Sequence, residues 1–247
     1  MIIRQKQMRA FTSADAPLFE TRAAEHLKQD FPKHSAFLGE EGLTQIVKHG
    51  REQAGSYGLT ATGHVTFFID LMLLLGWRFD ADPQLPWAAD VLSDMSLRAD
   101  VKAQTLHQRA TDYLDLVLGP DNEYIDLAQT RLLGEPLEML GGAKEFLTEM
   151  KHRLKRVFPE KCLYLGDAGL EQLIRNAAAS ATRYDVRILV GVMLFAAMML
   201  MLGSSFDSDP LFGWATKVLE DKQIKSPEER IQRLHAAGIE YLKQWCA

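Results

Sequence analysis

Phe79-Asp80-Ala81-Asp82-Pro83 returns as Phe206-Asp207-Ser208-Asp209-Pro210, 127 positions further along the chain. At the same offset Phe31-Pro32 meets Phe158-Pro159, and Leu38-Gly39-Glu40-Glu41-Gly42-Leu43 meets Leu165-Gly166-Asp167-Ala168-Gly169-Leu170. Gln45, Ala54 and Tyr57 meet Gln172, Ala181 and Tyr184, and Leu73-Leu74-Leu75-Gly76 meets Leu200-Met201-Leu202-Gly203. Trp87-Ala88 and Val91-Leu92 meet Trp214-Ala215 and Val218-Leu219. The match needs no gap from residue 31 to 92, and roughly a third of its positions are identical. After one inserted residue, Leu106-His107 pairs with Leu234-His235 and Tyr113-Leu114 with Tyr241-Leu242. Self-similarity at a fixed period is the signature of a duplicated unit. The expected division is a first repeat with an N-terminal extension (1–117), a linker with one short helix (118–142) and a second repeat (143–247).

Each copy reads as helical. Ala23, Leu27 and Phe31 fall at helical spacing, as do Leu147, Leu154 and Phe158. Phe-Pro then closes the helix, because the residue before proline is pushed out of the helical region. Gly39-Glu40-Glu41 opens a second helix with acids at its positive end. That helix carries Leu43, Ile46, Val47 and Ala54 towards Gly58 as its C-cap. A third runs from about Gly63 to Leu75, and a fourth, begun by Asp82 as N-cap and Pro83, holds Trp87, Val91 and Leu92. Ser226-Pro227-Glu228-Glu229 starts the last helix with a capping box, and the linker helix is placed around Asp121–Leu133. Nothing alternates with period two beyond Ile2-Ile3, a short edge piece at best. The expected fold is all-α: two tandem pseudo-symmetric helical bundles of about five helices each.

Composition narrows the function classes. The 247 residues are 47% hydrophobic and carry 28 basic against 33 acidic side chains, a net charge of −5. That apolar content supports a core and excludes intrinsic disorder, and the acidic balance argues against nucleic acid. Two cysteines, Cys162 and Cys246, make no disulfide framework and suit a reducing compartment. Met1-Ile2-Ile3-Arg4-Gln5-Lys6 lacks the apolar core of an export signal, so the expected location is a bacterial cytoplasm.

Ile188 to Leu202 is an unbroken apolar run, shorter than the ~18–20 residues that span a bilayer. The matching stretch of the first copy holds His64, Thr66 and Asp70 where the second has Gly191, Met193 and Ala197. Both are therefore expected to be central buried helices, with no membrane span. The Met193/Ala197 face is either covered within the chain or a docking surface. Methionine side chains suit both roles.

The paired Asp80/Asp82 and Asp207/Asp209 are the most suggestive polar groups. Carboxylates at this spacing ligate a hard cation such as calcium or magnesium, but no turn glycine or distal glutamate completes a calcium loop. Helix capping by Asp82 and Asp209, and side-chain turns by Asp80 and Asp207, use the same residues without a metal. His107 and His235 share a helix position without an evident carboxylate partner, and the other histidines lack metal-ligand spacing. Gly141-Gly142 lacks the lysine and hydroxyl residue of a phosphate loop, and no Gly-x-Ser-x-Gly elbow occurs. No cofactor is expected. The basic runs Lys151-His152-Arg153-Leu154-Lys155-Arg156 and Arg230–Arg233 read as solvated helix faces, the first also as a contact for an acidic protein.

Met-Ile-Ile-Arg at the start, Leu38-Gly39-Glu40-Glu41-Gly42 and Phe68-Ile69-Asp70-Leu71-Met72 carry a resemblance, with Phe79-Asp80-Ala81-Asp82-Pro83-Gln84-Leu85-Pro86-Trp87-Ala88. On these residues the first copy resembles a family of uncharacterised bacterial helical proteins often encoded near type VI secretion toxins and their spike-tip proteins. The second copy keeps Asp-x-Asp-Pro and the tryptophan but has Gly213 in place of Pro86. A duplicated all-helical scaffold without a catalytic constellation, added to this resemblance, gives the expectation of a non-enzymatic binding protein: an adaptor, chaperone or immunity protein whose partner is a secreted toxin or spike-tip protein. Met193 and Ala197, or Lys151, Arg153, Lys155 and Arg156, are the expected contact residues. The alternative is a metal-dependent enzyme or toxin using the four aspartates. A duplicated unit also suits a homo-oligomer.

Overall fold

Each Phe-Pro step forces a helix to end and another to begin, and the architecture is organised around two such steps. The computed structural model describes residues 16–134 and 146–246. The expectations placed on Ile2-Ile3, on Met-Ile-Ile-Arg and on Gly141-Gly142 lie outside those residues. Eleven α-helices and three short 3-10 turns account for the described order, with no strand among the described residues. None of these helices is long and apolar enough to cross a membrane.

The first half contains α1 (Ala16–Asp30), α2 (Pro32–Ser56), α3 (Thr62–Leu75), α4 (Pro86–Ser93) and α5 (Ala99–Leu118). A 3-10 turn, Pro120–Asn122, leads into α6 (Glu123–Gly134). The second half contains α7 (Phe146–Val157), α8 (Pro159–Arg183), α9 (Leu189–Leu202), α10 (Gly213–Leu219) and α11 (Pro227–Cys246). Helices α2 and α8 are each 25 residues long, and α3 and α9 each 14. In both pairs the bounds differ by the offset of 127.

The second helix starts earlier than Gly39-Glu40-Glu41 suggested. Pro32 and Pro159 begin α2 and α8, which then break at Gly39 (φ 63°, ψ −177°) and Gly166 (φ 64°, ψ 176°). Those dihedrals are open essentially to glycine alone. The acids beyond each break do begin a fresh helical segment, and Glu40 and Asp167 reach back to Lys28 and Lys155 at 2.6 and 2.7 Å.

Helix α4 starts later than Asp82-Pro83 suggested. Leu85 (φ −125°, ψ 54°) stands outside the helical region, as the equivalent Phe212 (φ −110°, ψ 39°) does ahead of Gly213, so Asp82-Pro83 turns first and the helix begins at Pro86. Where Gly213 replaces that proline, the 3-10 turn Pro210–Phe212 runs directly into α10.

The central helices differ as their sequences do. Nine of the fourteen residues of α9 are buried, Phe195, Ala196 and Leu200 completely. In α3 the polar edge is met from α1: His26 holds Asp70 through Nε2 and Asp30 through Nδ1, both at 2.9 Å. Arg153, at the offset of 127 from His26, pairs instead with Glu149 on its own helix at 2.8 Å, since Ala197 offers nothing to bind.

Two cations seal the short helices from below. The buried Lys102 ammonium donates to Leu92 O at 2.7 Å and Tyr57 O at 3.1 Å. Arg230, expected on a solvated face, instead sends its guanidinium to the carbonyls of Val218, Leu219, Asp221 and Ile224 at 2.5–3.2 Å. Carbonyls left open at a helix C-terminus attract such donors.

Candidate functional site

The two Asp-x-Asp-Pro motifs lie at the contact between the halves, and their first and second aspartates do different work. Asp80 accepts the Tyr57 hydroxyl at 2.9 Å. Burial, and then this bond to a carboxylate, push the Tyr57 hydroxyl up to about 12. Asp207 accepts Ser180 Oγ at 2.5 Å and Arg183 Nη2 at 2.6 Å. Both first aspartates thus tie their turn to the C-terminal end of the long helix preceding it.

The second aspartates reach across. Asp82 Oδ1 accepts Gln84 N at 2.8 Å and Ser204 Oγ at 2.6 Å, while its Oδ2 accepts Ser204 N at 2.8 Å. Asp209 Oδ1 accepts Leu211 N at 2.9 Å and its Oδ2 accepts Trp77 N at 3.0 Å. Each carboxylate therefore closes its own turn with one oxygen and grips the opposite half with the other. Asp82 and Asp209, Ser204 and Trp77, and Gln84 and Leu211 are all related by the offset of 127. Burial holds the Asp209 carboxyl up at about 6, partly offset by the N–H groups of Leu211 and Trp77.

Close backbone approach makes this exchange possible. Gly76 (φ 108°) and Gly203 (φ 98°) face one another, so a Cβ on Gly76 would stand 3.8 Å from Gly203 Cα and 3.5 Å from Leu202 O. Gln84 Nε2 adds bonds to Met199 O at 2.9 Å and Ser204 Oγ at 3.0 Å. These contacts engage both oxygens of Asp82 and of Asp209, two of the four carboxylates that the metal reading requires. Among the described residues no cluster of three or more histidine, cysteine, aspartate or glutamate side chains is gathered to hold an ion.

Aromatic pairs flank the glycines. Tyr113 on α5 meets Tyr164 on α8 at 4.9 Å between ring centroids, and Phe37 on α2 meets Tyr241 on α11 at 4.8 Å. His34 lies edge-on to Trp245 at 4.7 Å. Between these pairs is a cavity of about 210 Å³, walled from the first half by residues such as Leu75, Leu114 and Val117 and from the second by Leu202, Leu242 and Trp245.

Its polar lining includes His34, Asp82, Gln84, Tyr113, Gln129 and Lys161. Lys161 is half-buried, and its ammonium donates to Leu200 O, in the last turn of α9, at 2.6 Å. Burial lowers this ammonium to about 8, with Asp82 acting in the opposite direction. Burial likewise drives His34 down to about 4, leaving a neutral imidazole at pH 7. His34 and Lys161 stand at the same offset of 127.

The expected contact residues lie elsewhere. Ala197 is 7% exposed and Met193 is half-buried against the core. In the basic tract Lys151 pairs with Glu171, Arg153 with Glu149 and Lys155 with Asp167, while Arg156 is exposed at the surface. Sequence reasoning placed no weight on Lys161. Its only signal there is a polar residue matching His34 a few positions beyond each Phe-Pro. Compared with known proteins, the chain matches no family model, no curated protein and no solved structure.

Proposed function

We propose that the chain is a non-enzymatic binding protein made by duplication of one helical unit, each copy of about five helices. The observation that carries this reading is the reciprocal grip of Asp82 on Ser204 and of Asp209 on Trp77. In the motif with the strongest claim to chemistry, the second aspartate is spent on holding one half against the other. Such a use suits a scaffold that presents fixed surfaces, and it favours this reading over the metal-dependent alternative.

On the family resemblance, the partner is a secreted toxin or spike-tip protein, served in a bacterial cytoplasm as adaptor, chaperone or immunity protein. The test is co-expression with the toxin or spike-tip protein encoded beside the gene, followed by affinity capture and size-exclusion chromatography. A co-eluting complex of the two chains is expected. Separate elution of two folded proteins overturns the reading. Calorimetric titration with calcium, magnesium and manganese tests the alternative. Stoichiometric heat that is lost on Asp80→Asn/Asp207→Asn would establish a metal site in its place.

A further inference from the structure

We propose that the cavity between the two halves binds a small carboxylate with an apolar tail, its carboxylate held by the Lys161 ammonium. This inference goes beyond the protein-partner reading and stands on different residues. A binding pocket of general type is apolar over most of its wall, with a few polar groups gathered to fix orientation. Here Leu75, Leu114, Val117, Leu202, Leu242 and Trp245 supply apolar wall from both halves, and Lys161 supplies a charge.

A lysine ammonium has three N–H donors. Among the described residues the hydrogen bond of Lys161 goes to Leu200 O, which uses one and leaves two for a ligand. Asp82 lines the same cavity but already accepts from Gln84 N, Ser204 N and Ser204 Oγ. Those three donors, one from its own turn and two from Ser204 of the opposite half, engage both of its oxygens and leave Lys161 as the group seeking an acceptor. His34, neutral through burial, adds no competing positive charge.

Size selects among carboxylates. An apolar cavity of about 150 Å³ takes benzene, so 210 Å³ has room for about eight non-hydrogen atoms on the same scale. Hexanoate meets that limit, and hexan-1-ol matches it in shape without the charge.

The experiment titrates the full chain with hexanoate and, separately, with hexan-1-ol, following heat and tryptophan fluorescence, for which Trp245 in the cavity wall is the reporter. Saturable hexanoate binding at low millimolar concentration or tighter is expected, at least tenfold stronger than that of the alcohol. Lys161→Met should erase this preference, weakening hexanoate about tenfold while changing hexan-1-ol less than twofold. Val117→Phe, which fills the cavity without touching the charge, should remove both. Equal affinity of the wild-type chain for acid and alcohol overturns the charge assignment. Hexanoate binding that survives Val117→Phe overturns the location, and the absence of saturable binding to the folded wild-type chain overturns the site. The wild-type comparison decides the matter even if Lys161→Met fails to fold.

Discussion

Asp209 is a carboxyl placed where ionisation is costly, and its effect on stability has a definite sign. It is held near 6 in the folded chain by burial and would titrate near the ordinary ~3.9 when unfolded. Between these values the unfolded chain has released the proton while the folded chain keeps it. Its contribution to stability is therefore fully present below about pH 4, declines as pH rises to about 6, and is flat above. A displacement of this size corresponds to about 2–3 kcal/mol. Asp209→Asn removes the titration, and its single carbonyl oxygen keeps one of the two backbone bonds at every pH. Chemical unfolding of both chains from pH 4 to 7 should show the wild type losing about 2 kcal/mol relative to the variant. A constant difference across that range would show that the carboxyl titrates normally. The sequence singled out this aspartate and its capping role, and Asp209 Oδ1 does accept from Leu211 N at the start of the 3-10 turn. The other oxygen was illegible, because Trp77 lies 132 residues away and no local pattern records which backbone N–H a folded chain will bring.

At the level of elements, the ends of α2 and α8 compare one glycine with one aspartate in the same geometry. Leu59 N bonds to Ala54 O and Gly58 N to Gly55 O, closing α2 with Gly58 at φ +80°. Val186 N and Asp185 N make the matching bonds to Ala181 O and Thr182 O, with Asp185 at φ +59°. A residue with a Cβ pays a steric penalty in that conformation, and glycine does not. The relieved strain, about 1–2 kcal/mol, exceeds the ~0.4–1 kcal/mol that glycine costs through the unfolded chain, so Asp185→Gly should stabilise the chain by about 0.5–1 kcal/mol, read as a higher midpoint in urea with unchanged slope. A lower midpoint would mean that Asp185 contributes something beyond closing the helix. Helix type and most boundaries were legible because Phe-Pro, Leu-Gly and Ser-Pro act through sterics within a few residues. The breaks at Gly39 and Gly166 were half-legible: the glycine marked a change, but its φ follows from packing on both sides. The starts of α4 and α10 fall at equivalent positions, Pro86 and Gly213, although only one of them is a proline, because the residue before each is held out of the helical region by the turn that the second aspartate closes.

Across the whole molecule, the reciprocal aspartates and the Tyr113–Tyr164 and Phe37–Tyr241 pairs tie the halves into one unit. Unfolding should then be a single transition, with helical circular dichroism and tryptophan fluorescence coincident. Asp82→Ala/Asp209→Ala should separate the two signals, since each alanine strips acceptors from the opposite half. Separate transitions already in the wild type would show that the halves are only loosely joined. The offset of 127 is visible in the sequence, yet the cavity between the halves was illegible, because its walls are drawn from residues as distant as His34 and Trp245. His34 and Lys161 give that cavity its direction. If two identical chains enclosed it, any group near their axis would appear twice, and a ligand would meet the same chemistry from either side. Under the proposed duplication, joining the copies in one chain frees the two positions to diverge, here into an uncharged ring and an ammonium. A near-symmetric container thereby acquires a head and a foot, and a guest with unlike ends has one way to lie in it.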